Sequence, residues 1–514
     1  MTRLLYLTFL FIFLYQNSFS QNPIPVGFIS IDEQLRNLQL LNKFDSNLSF
    51  SNRPNYTTHQ TSFDQLLNII DPKLKYHSRQ INAWKVNFRL LPVSVTHKIN
   101  PNRPFGWNDQ ALGFTNGYQS LLTTGVTADL GIIHAQYQPE LAHYATGSFP
   151  KKTKLLPGQS FVGIKYAKLA LSVSSENLWW GPGRYASLLM SNNAQGFEHF
   201  RLNTYKPIDI GIGKIEFSLV LGRMTRDTAF GFENNSLQKR YFDYSLPSTR
   251  QFNGVNIVYQ PKVLKNVFIG LSRSFQNYEL SKAEYQANFN SYLPVLNDLF
   301  KNNYSDDSLN KDQILSLFTR WLFPKANAEV YFEFGYNDAK TNIRDLLINT
   351  THSSAYTFGF KKLQLLTDTK FLDLGFEATK MSQTPSYLQR SAGNWYEHGQ
   401  VQEGFTNNNQ IIGVGSGQGN DLQTITLNLR EGFNTFGLKF QHIANKPYLE
   451  TGDNAVQLRN TKWNDYVFGI NWGHRYHKII INANLEWVNA KNYNWIKGSR
   501  QGDLNAFINT IFLW

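Results

Sequence analysis

The chain contains no cysteine in 514 residues. That excludes a disulfide framework, a thiolate metal site and a thioether lipid anchor, so packing and hydrogen bonds alone must hold the fold together. It also lacks a long apolar run: beyond the first twenty residues nothing approaches the roughly 20 consecutive apolar residues of a transmembrane helix. A helical inner-membrane protein is therefore excluded. Charged residues are sparse, at 17%. Enzyme signatures are sparse as well. There is no G-x-S-x-G elbow, and Gly413, Gly415, Gly417 and Gly419 alternate in a pattern that matches neither a P-loop nor G-x-G-x-x-G. His474 and His477 lie three apart without an H-E-x-x-H frame or an obvious carboxylate partner. No catalytic set, metal site or cofactor is expected.

What is present points to export. Arg3, an apolar stretch over Leu4 to Leu14 and the small residues around Ser18-Phe19-Ser20 form a secretory leader, with cleavage expected after Ser20. At the other end, Leu504, Ala506, Ile508, Thr510, Phe512 and Trp514 form a lipid-compatible stripe ending in an interfacial aromatic. Aromatics make up 15% of the chain, a load suited to the girdles of an outer-membrane barrel. The mean hydropathy of −0.38 is compatible with that location, because only alternate residues of a barrel strand face lipid. The formal charge is +13, of which Arg3 in the leader accounts for one, leaving +12. Such a surface suits anionic partners, either lipopolysaccharide phosphates or an acidic polysaccharide, rather than nucleic acid.

The periodicity changes once. Residues 21–83 read as an N-terminal periplasmic helical segment. Ser30-Ile31-Asp32-Glu33 has the form of a capping box, and Ile31, Leu35, Leu38 and Leu41 share one helical face. A second helix starts at Ser62, buries Phe63, Leu66, Leu67 and Ile70, and stops before Pro72. From Trp84 onward period-two alternation dominates, so residues 84–514 are expected to form one transmembrane antiparallel β-barrel. Val330, Phe332 and Phe334 should face lipid, with Glu329 and Glu333 in the lumen. A soluble β-sandwich also alternates, but one this long would divide into domains joined by linkers, and no composition break follows residue 84. The polar stretches Arg223 to Arg250, Gln276 to Asp312 and Gln389 to Asp421 read as long, structureless extracellular loops, with a short helix over Pro294 to Phe300.

Three segments could carry binding chemistry. Glu176-Asn177-Leu178-Trp179-Trp180-Gly181-Pro182-Gly183-Arg184 joins two indoles to a guanidinium across a Gly-Pro-Gly turn. Indole faces stack on sugar rings while Arg and Asn bond to hydroxyls or acidic substituents. The alternative is that the indoles sit in an aromatic girdle and Gly-Pro-Gly merely turns the chain. Trp107, Asn108 and Asp109 within Phe105 to Asp109, and Trp395 and Tyr396 within Ser391 to His398, form similar aromatic-plus-amide clusters open to the same two readings.

These segments also carry a resemblance. Glu176 to Gly183 continuing through Leu188-Leu189-Met190-Ser191-Asn192-Asn193-Ala194 to Phe197 and Lys206-Pro207, Phe105 to Asp109 followed by Gly117-Tyr118-Gln119, Phe323-Pro324 leading into Ala328 to Glu333, and Ser391 to Tyr396 with His398-Gly399-Gln400 together resemble the capsule assembly Wzi family. The resemblance implies a barrel of about 18 strands with periplasmic helices near the N-terminus. It further implies a non-enzymatic, lectin-like role in attaching capsular polysaccharide or exopolysaccharide at the cell surface, beside the export machinery. A porin-like channel and an outer-membrane glycan hydrolase remain as other readings. A channel would need an open, charge-lined lumen, and a hydrolase a nucleophile and base on inward-facing positions.

Overall fold

The computed structural model describes residues 23–24, 26, 31–56, 62–83, 86–145, 151–226, 248–278, 312–337, 352–383, 394–399, 401–446 and 461–514. The leader, Ser30, Trp84, the helix expected over Pro294 to Phe300 and most of the first two polar stretches lie outside them.

Among the described residues two helices precede the sheet: α1, Ile31–Leu40, and α2, Phe63–Ile70. Eighteen strands then close into a ring. They are β1 Val86–Asn100, β2 Gly117–Leu130, β3 (Ile133–Tyr137 and Glu140–Ala145), β4 (Lys152–Leu156 and Phe161–Tyr166), β5 Leu169–Ser174, β6 His199–Thr204, β7 Gly213–Thr225, β8 Thr249–Pro261 and β9 Val267–Tyr278. β10 Asp312–Phe323, β11 Ala328–Asn337, β12 Ser354–Leu365, β13 Lys370–Lys380, β14 Asp421–Glu431, β15 Asn434–Asn445, β16 Trp463–Tyr476, β17 Ile479–Lys491 and β18 Arg500–Phe512 complete it. The two segments of β3 pair in succession with β2, and those of β4 with β3, so each pair acts as one interrupted strand. All neighbours are antiparallel, and β18 returns to β1 with Phe512 opposite Val93. Closure leaves the ring no edge to template aggregation.

Alternation sets the two faces. On β11, Glu329 and Glu333 are fully buried inside while Phe332 is exposed outside, with Val330 and Phe334 on its side. On β18, Leu504, Ile508, Phe512 and the following Trp514 face outward. Ile511 and Leu513, apolar residues on the opposite face, pack against α1 and α2 inside the barrel. That explains why the last strand is apolar on both sides. Exposed Trp321, Trp472, Tyr476 and Trp514 lie toward the end with short turns, and Tyr118, Tyr466 and Trp487 toward the other, as interfacial girdles require. Short turns mark the periplasmic end of a bacterial barrel, and both α1 and the end of β18 are there.

The two helices close that mouth from within. Ile31, Leu35 and Leu38 of α1 pack with Phe63, Leu66, Leu67 and Ile70 of α2 against Phe433, Ile480, Ile511 and Leu513. Leu41 leaves the expected stripe: the helix ends at Leu40, and Leu41 packs beside Leu40 against Phe268, Phe318 and Phe371 instead. The capping box is realised at α2, where the Ser62 side chain accepts from the Gln65 amide and the Gln65 side chain accepts from the Ser62 amide. The capping box expected at Ser30 lies outside the described residues. The Glu33 carboxylate bonds Arg184 and Lys361, both buried cations.

The third polar stretch departs from expectation. Residues 394–399 and 401–420, read from sequence as an extracellular loop, fold down into the lumen and bury Trp395, Tyr396, Phe405, Ile411, Ile412 and Val414 in one cluster. Residues 175–198 do the same between β5 and β6, burying Leu178, Trp180, Leu188, Leu189 and Met190 in the same cluster. An aqueous channel does not need so many apolar side chains inside; a plugged barrel does.

Candidate functional site in the plugged lumen

The inserted segments are fixed to the wall by buried acids. Glu377 of β13 accepts the amides of Arg184 at 2.7 Å and Tyr185 at 3.0 Å, and the Tyr331 hydroxyl donates to it at 2.6 Å. Glu333 accepts the Leu188 amide at 3.3 Å and the Ser316 hydroxyl at 2.7 Å. Glu216 of β7 takes both the amide and hydroxyl of Ser49 at 2.9 Å. The inward acids of the alternation thus serve as docking points for backbone that enters the lumen without its own secondary structure.

Trp179 and Trp180 are neither in a girdle nor at the cell surface. They form a two-residue strand paired with Asn52–Arg53 of the N-terminal segment and are 3% and 0% exposed. The Arg53 guanidinium lies over the Trp179 ring at 4.3 Å. Trp180 rests on the wall at Gly254, where an added Cβ would stand 2.7 Å from the indole. Deleting an indole packed this way costs about 3–5 kcal/mol. Trp180→Ala is therefore expected to lower the thermal unfolding midpoint of the purified barrel clearly; an unchanged midpoint would contradict this structural role.

Arg184 is likewise committed. Its side chain is 3% exposed and pairs with Glu33, with Asp373 at 3.6 Å, in a cluster it shares with Lys361 and Arg430. Burial works against ionisation of Glu33, but Arg184, Lys361 and Arg430 outweigh it and hold the carboxyl well below its ordinary range. A depressed carboxylate adds stability that is complete above the unfolded pKa and lost as pH falls through the folded one. Docking of α1 should thus be unchanged between about pH 7 and about pH 5, and weaken only in acid below about pH 4, the ordinary glutamate range. Limited proteolysis of residues 41–62 across that range checks it, and cleavage appearing near neutral pH would refute it.

Trp395 and Tyr396 are also buried. The Tyr396 hydroxyl donates to the Leu188 carbonyl and accepts the Val414 amide, both at 2.8 Å, so one side chain ties the two inserted loops together. The Trp395 indole donates to the Ser353 carbonyl at 3.1 Å. The third cluster joins them. The Asn108 side chain donates to the Tyr185 carbonyl at 2.8 Å, and that of Asn192 donates to the Asn108 carbonyl at 2.9 Å.

This third segment presents half-buried side chains to open space. Trp107, Asn108 and Asp109 line a lumenal cavity of about 500 Å³ between the plug and strands β14–β18, β1 and β2. Asp109 pairs with Lys98; burial pushes its carboxyl up, against the pull of the Lys98 ammonium. The opposite wall consists largely of side-chain amides, including Asn428, Gln441, Asn471, Asn482, Asn484 and Asn505. Sequence reading missed them. Their signal was an Asn or Gln at inward positions of consecutive strands, recognisable only once the strands were registered against one another.

The fold and the plugged lumen define an outer-membrane β-barrel closed from inside by its own N-terminal helices and inserted loops. The model of the capsule assembly protein Wzi family matches residues 97–503, and the chain belongs to that family. Among solved structures it is similar to Wzi of Escherichia coli, described as a carbohydrate-binding β-barrel and an outer-membrane protein involved in group 1 capsule assembly. The TM-score is 0.63 at 13% identity, covering 96% of this chain and 99% of that one. OprD of Pseudomonas aeruginosa gives a TM-score of 0.40 at 12% identity, covering 85% of this chain and 94% of that one. OccK2 of the same organism, in complex with glucuronate, gives 0.43 at 10%, covering 83% and 98%. No curated protein matches the chain by sequence.

Proposed function

We propose that the protein is a non-enzymatic, lectin-like outer-membrane barrel that binds capsular polysaccharide or exopolysaccharide and attaches it at the cell surface, in contact with lipopolysaccharide and the export machinery. The observation that carries this reading is a lumen sealed by α1, α2 and the inserted loops, which nevertheless keeps a cavity lined by amides and an indole. Family membership and the carbohydrate binding ascribed to the E. coli barrel support it. A channel would leave the lumen open. A hydrolase would set a pair of free carboxyls about a glycosidic bond, whereas Asp109, Glu33 and Glu486 at the cavity each pair with a cation.

Cells lacking the protein should still make polymer but shed it into the medium, and purified barrel should retain surface polysaccharide from the source cell without shortening it. Normal polymer retention in such cells, together with chain cleavage by the purified protein, would replace this reading with an enzymatic one.

A further inference from the structure

The geometry points to a second level of detail, resting on the polysaccharide reading: the lumenal cavity is a site for an uncharged sugar unit, held through its hydroxyl groups by the amide wall. The recognition is of neutral residues in the glycan, not of its acidic substituents.

The first observation is the unmet hydrogen-bonding capacity. Asn505 is 5% exposed, and neither its Nδ2 nor its Oδ1 has a protein partner. The same holds for Asn428 Oδ1, Gln441 Oε1, Asn482 Nδ2 and Asn509 Oδ1 around the same cavity. Leaving buried amide groups without partners is costly, so sites that do so are built for something that supplies them. A side-chain amide offers both donors and an acceptor. A sugar hydroxyl is its complement, being donor and acceptor at once.

The second observation is charge. The ion pairs at the cavity are internal: Lys98 with Asp109, Lys439 with Glu486, and Arg184, Lys361 and Arg430 with Glu33 and Asp373. A uronate or sulfate entering here would compete with these carboxylates for their cations. A neutral ring does not. The third is shape. Trp107 and Phe507 supply half-buried aromatic surface beside the amides, suited to the apolar face of a sugar ring. Gly437, opposite Asn428 in register, keeps that amide in place: a Cβ there would lie 2.0 Å from Asn428 Oδ1. The volume of about 500 Å³ falls within the roughly 300–1,000 Å³ of ordinary ligand pockets.

The test uses the full-length barrel in detergent, with glucose, galactose and mannose as neutral probes and glucuronate and galacturonate as acidic ones. Binding is followed by tryptophan fluorescence and calorimetry, alongside retention of the source cell's polysaccharide. At least one neutral sugar should bind about tenfold or more tightly than the uronates. Its affinity should not change as salt rises from about 0.05 to about 0.5 M, where charge contacts are screened. Asn505→Leu and, independently, Asn482→Leu should each weaken it about tenfold, a loss of the order of one hydrogen-bonded group, with folding verified by the unfolding midpoint. Uronates binding as tightly, with steep salt dependence, would overturn the neutral-sugar site. So would polymer retained by wild type and by both folded variants alike with no response to any monosaccharide, although the polysaccharide reading would then stand. Neutral sugars bound while polymer is not retained would sink the parent reading alone.

Discussion

Replacing Glu329 by alanine is expected to release the N-terminal segment from the barrel mouth and produce the largest loss of stability of any single wall substitution considered above. Glu329 joins Arg36 of α1, at 2.9 Å, to Arg320 of β10, at 2.5 Å. The carboxylate and the Arg320 side chain are fully buried, and Arg36 is 2% exposed. Removing one member of a buried pair leaves an uncompensated charge and costs about 3–5 kcal/mol, and here two guanidinium groups share the one carboxylate. Arg320 would keep its hydrogen bond to the Ser49 carbonyl at 2.9 Å, which lies in the segment being released, and its place over the Phe50 and Phe268 rings. The variant should show a lower unfolding midpoint and new protease cleavage between residues 31 and 56. Glu329→Gln, which keeps the shape but not the charge, should fall close to it; wild-type behaviour in both would show that the ion pairs are not what holds α1.

The second large effect is expected from deleting residues 27–75, which should leave a barrel that inserts into bilayers but conducts. The deletion removes α1 and α2 from Phe433, Ile480, Ile511 and Leu513. It also takes away the Asn52–Arg53 strand on which Trp179–Trp180 pair, and the Arg53 bond to the Gly183 carbonyl. Both the periplasmic seal and one support of the inserted loop are lost, while the eighteen-strand ring keeps every wall pairing. Planar-bilayer recordings should show conductance steps that the intact protein lacks. A silent variant would mean that residues 175–198 and 394–420 seal the lumen unaided.

Much of the architecture was legible. The alternation over β11, with Glu329 and Glu333 against Phe332, placed lipid and lumen correctly, since a period of two leaves only two registers and burying an acid against lipid excludes one. Ser62 and Pro72 bracketed α2, because capping and φ restriction are local chemistry. The helical period of Ile31, Leu35 and Leu38 likewise named the buried face of α1. What could not be read was where the polar segments went. Residues 394–420 are rich in Gly, Asn and Gln and look like an exposed loop, yet they fill the barrel, because the hydrogen bonds that make burial tolerable come from residues far away in sequence: Leu188 for Tyr396, Asn193 for Ile411.

The sequence by itself determined that this is an exported, cysteine-free barrel protein with two N-terminal amphipathic helices, and its motifs carried the Wzi resemblance. Only the tertiary structure decided what those motifs do. Phe105 to Asp109, Glu176 to Phe197, Ala328 to Glu333 and the Trp395-Tyr396 pair lie far apart along the chain but meet inside one lumen. There the Trp179, Trp180 and Trp395 indoles are packed core while Trp107 borders the cavity, and Arg184, expected to meet acid, is paired with Glu33. The physical reason is closure: a ring of antiparallel strands encloses a volume that local periodicity does not reveal. Whether a tryptophan in a loop faces solvent or that enclosed space depends on long-range ion pairs and hydrogen bonds, not on its neighbours in sequence.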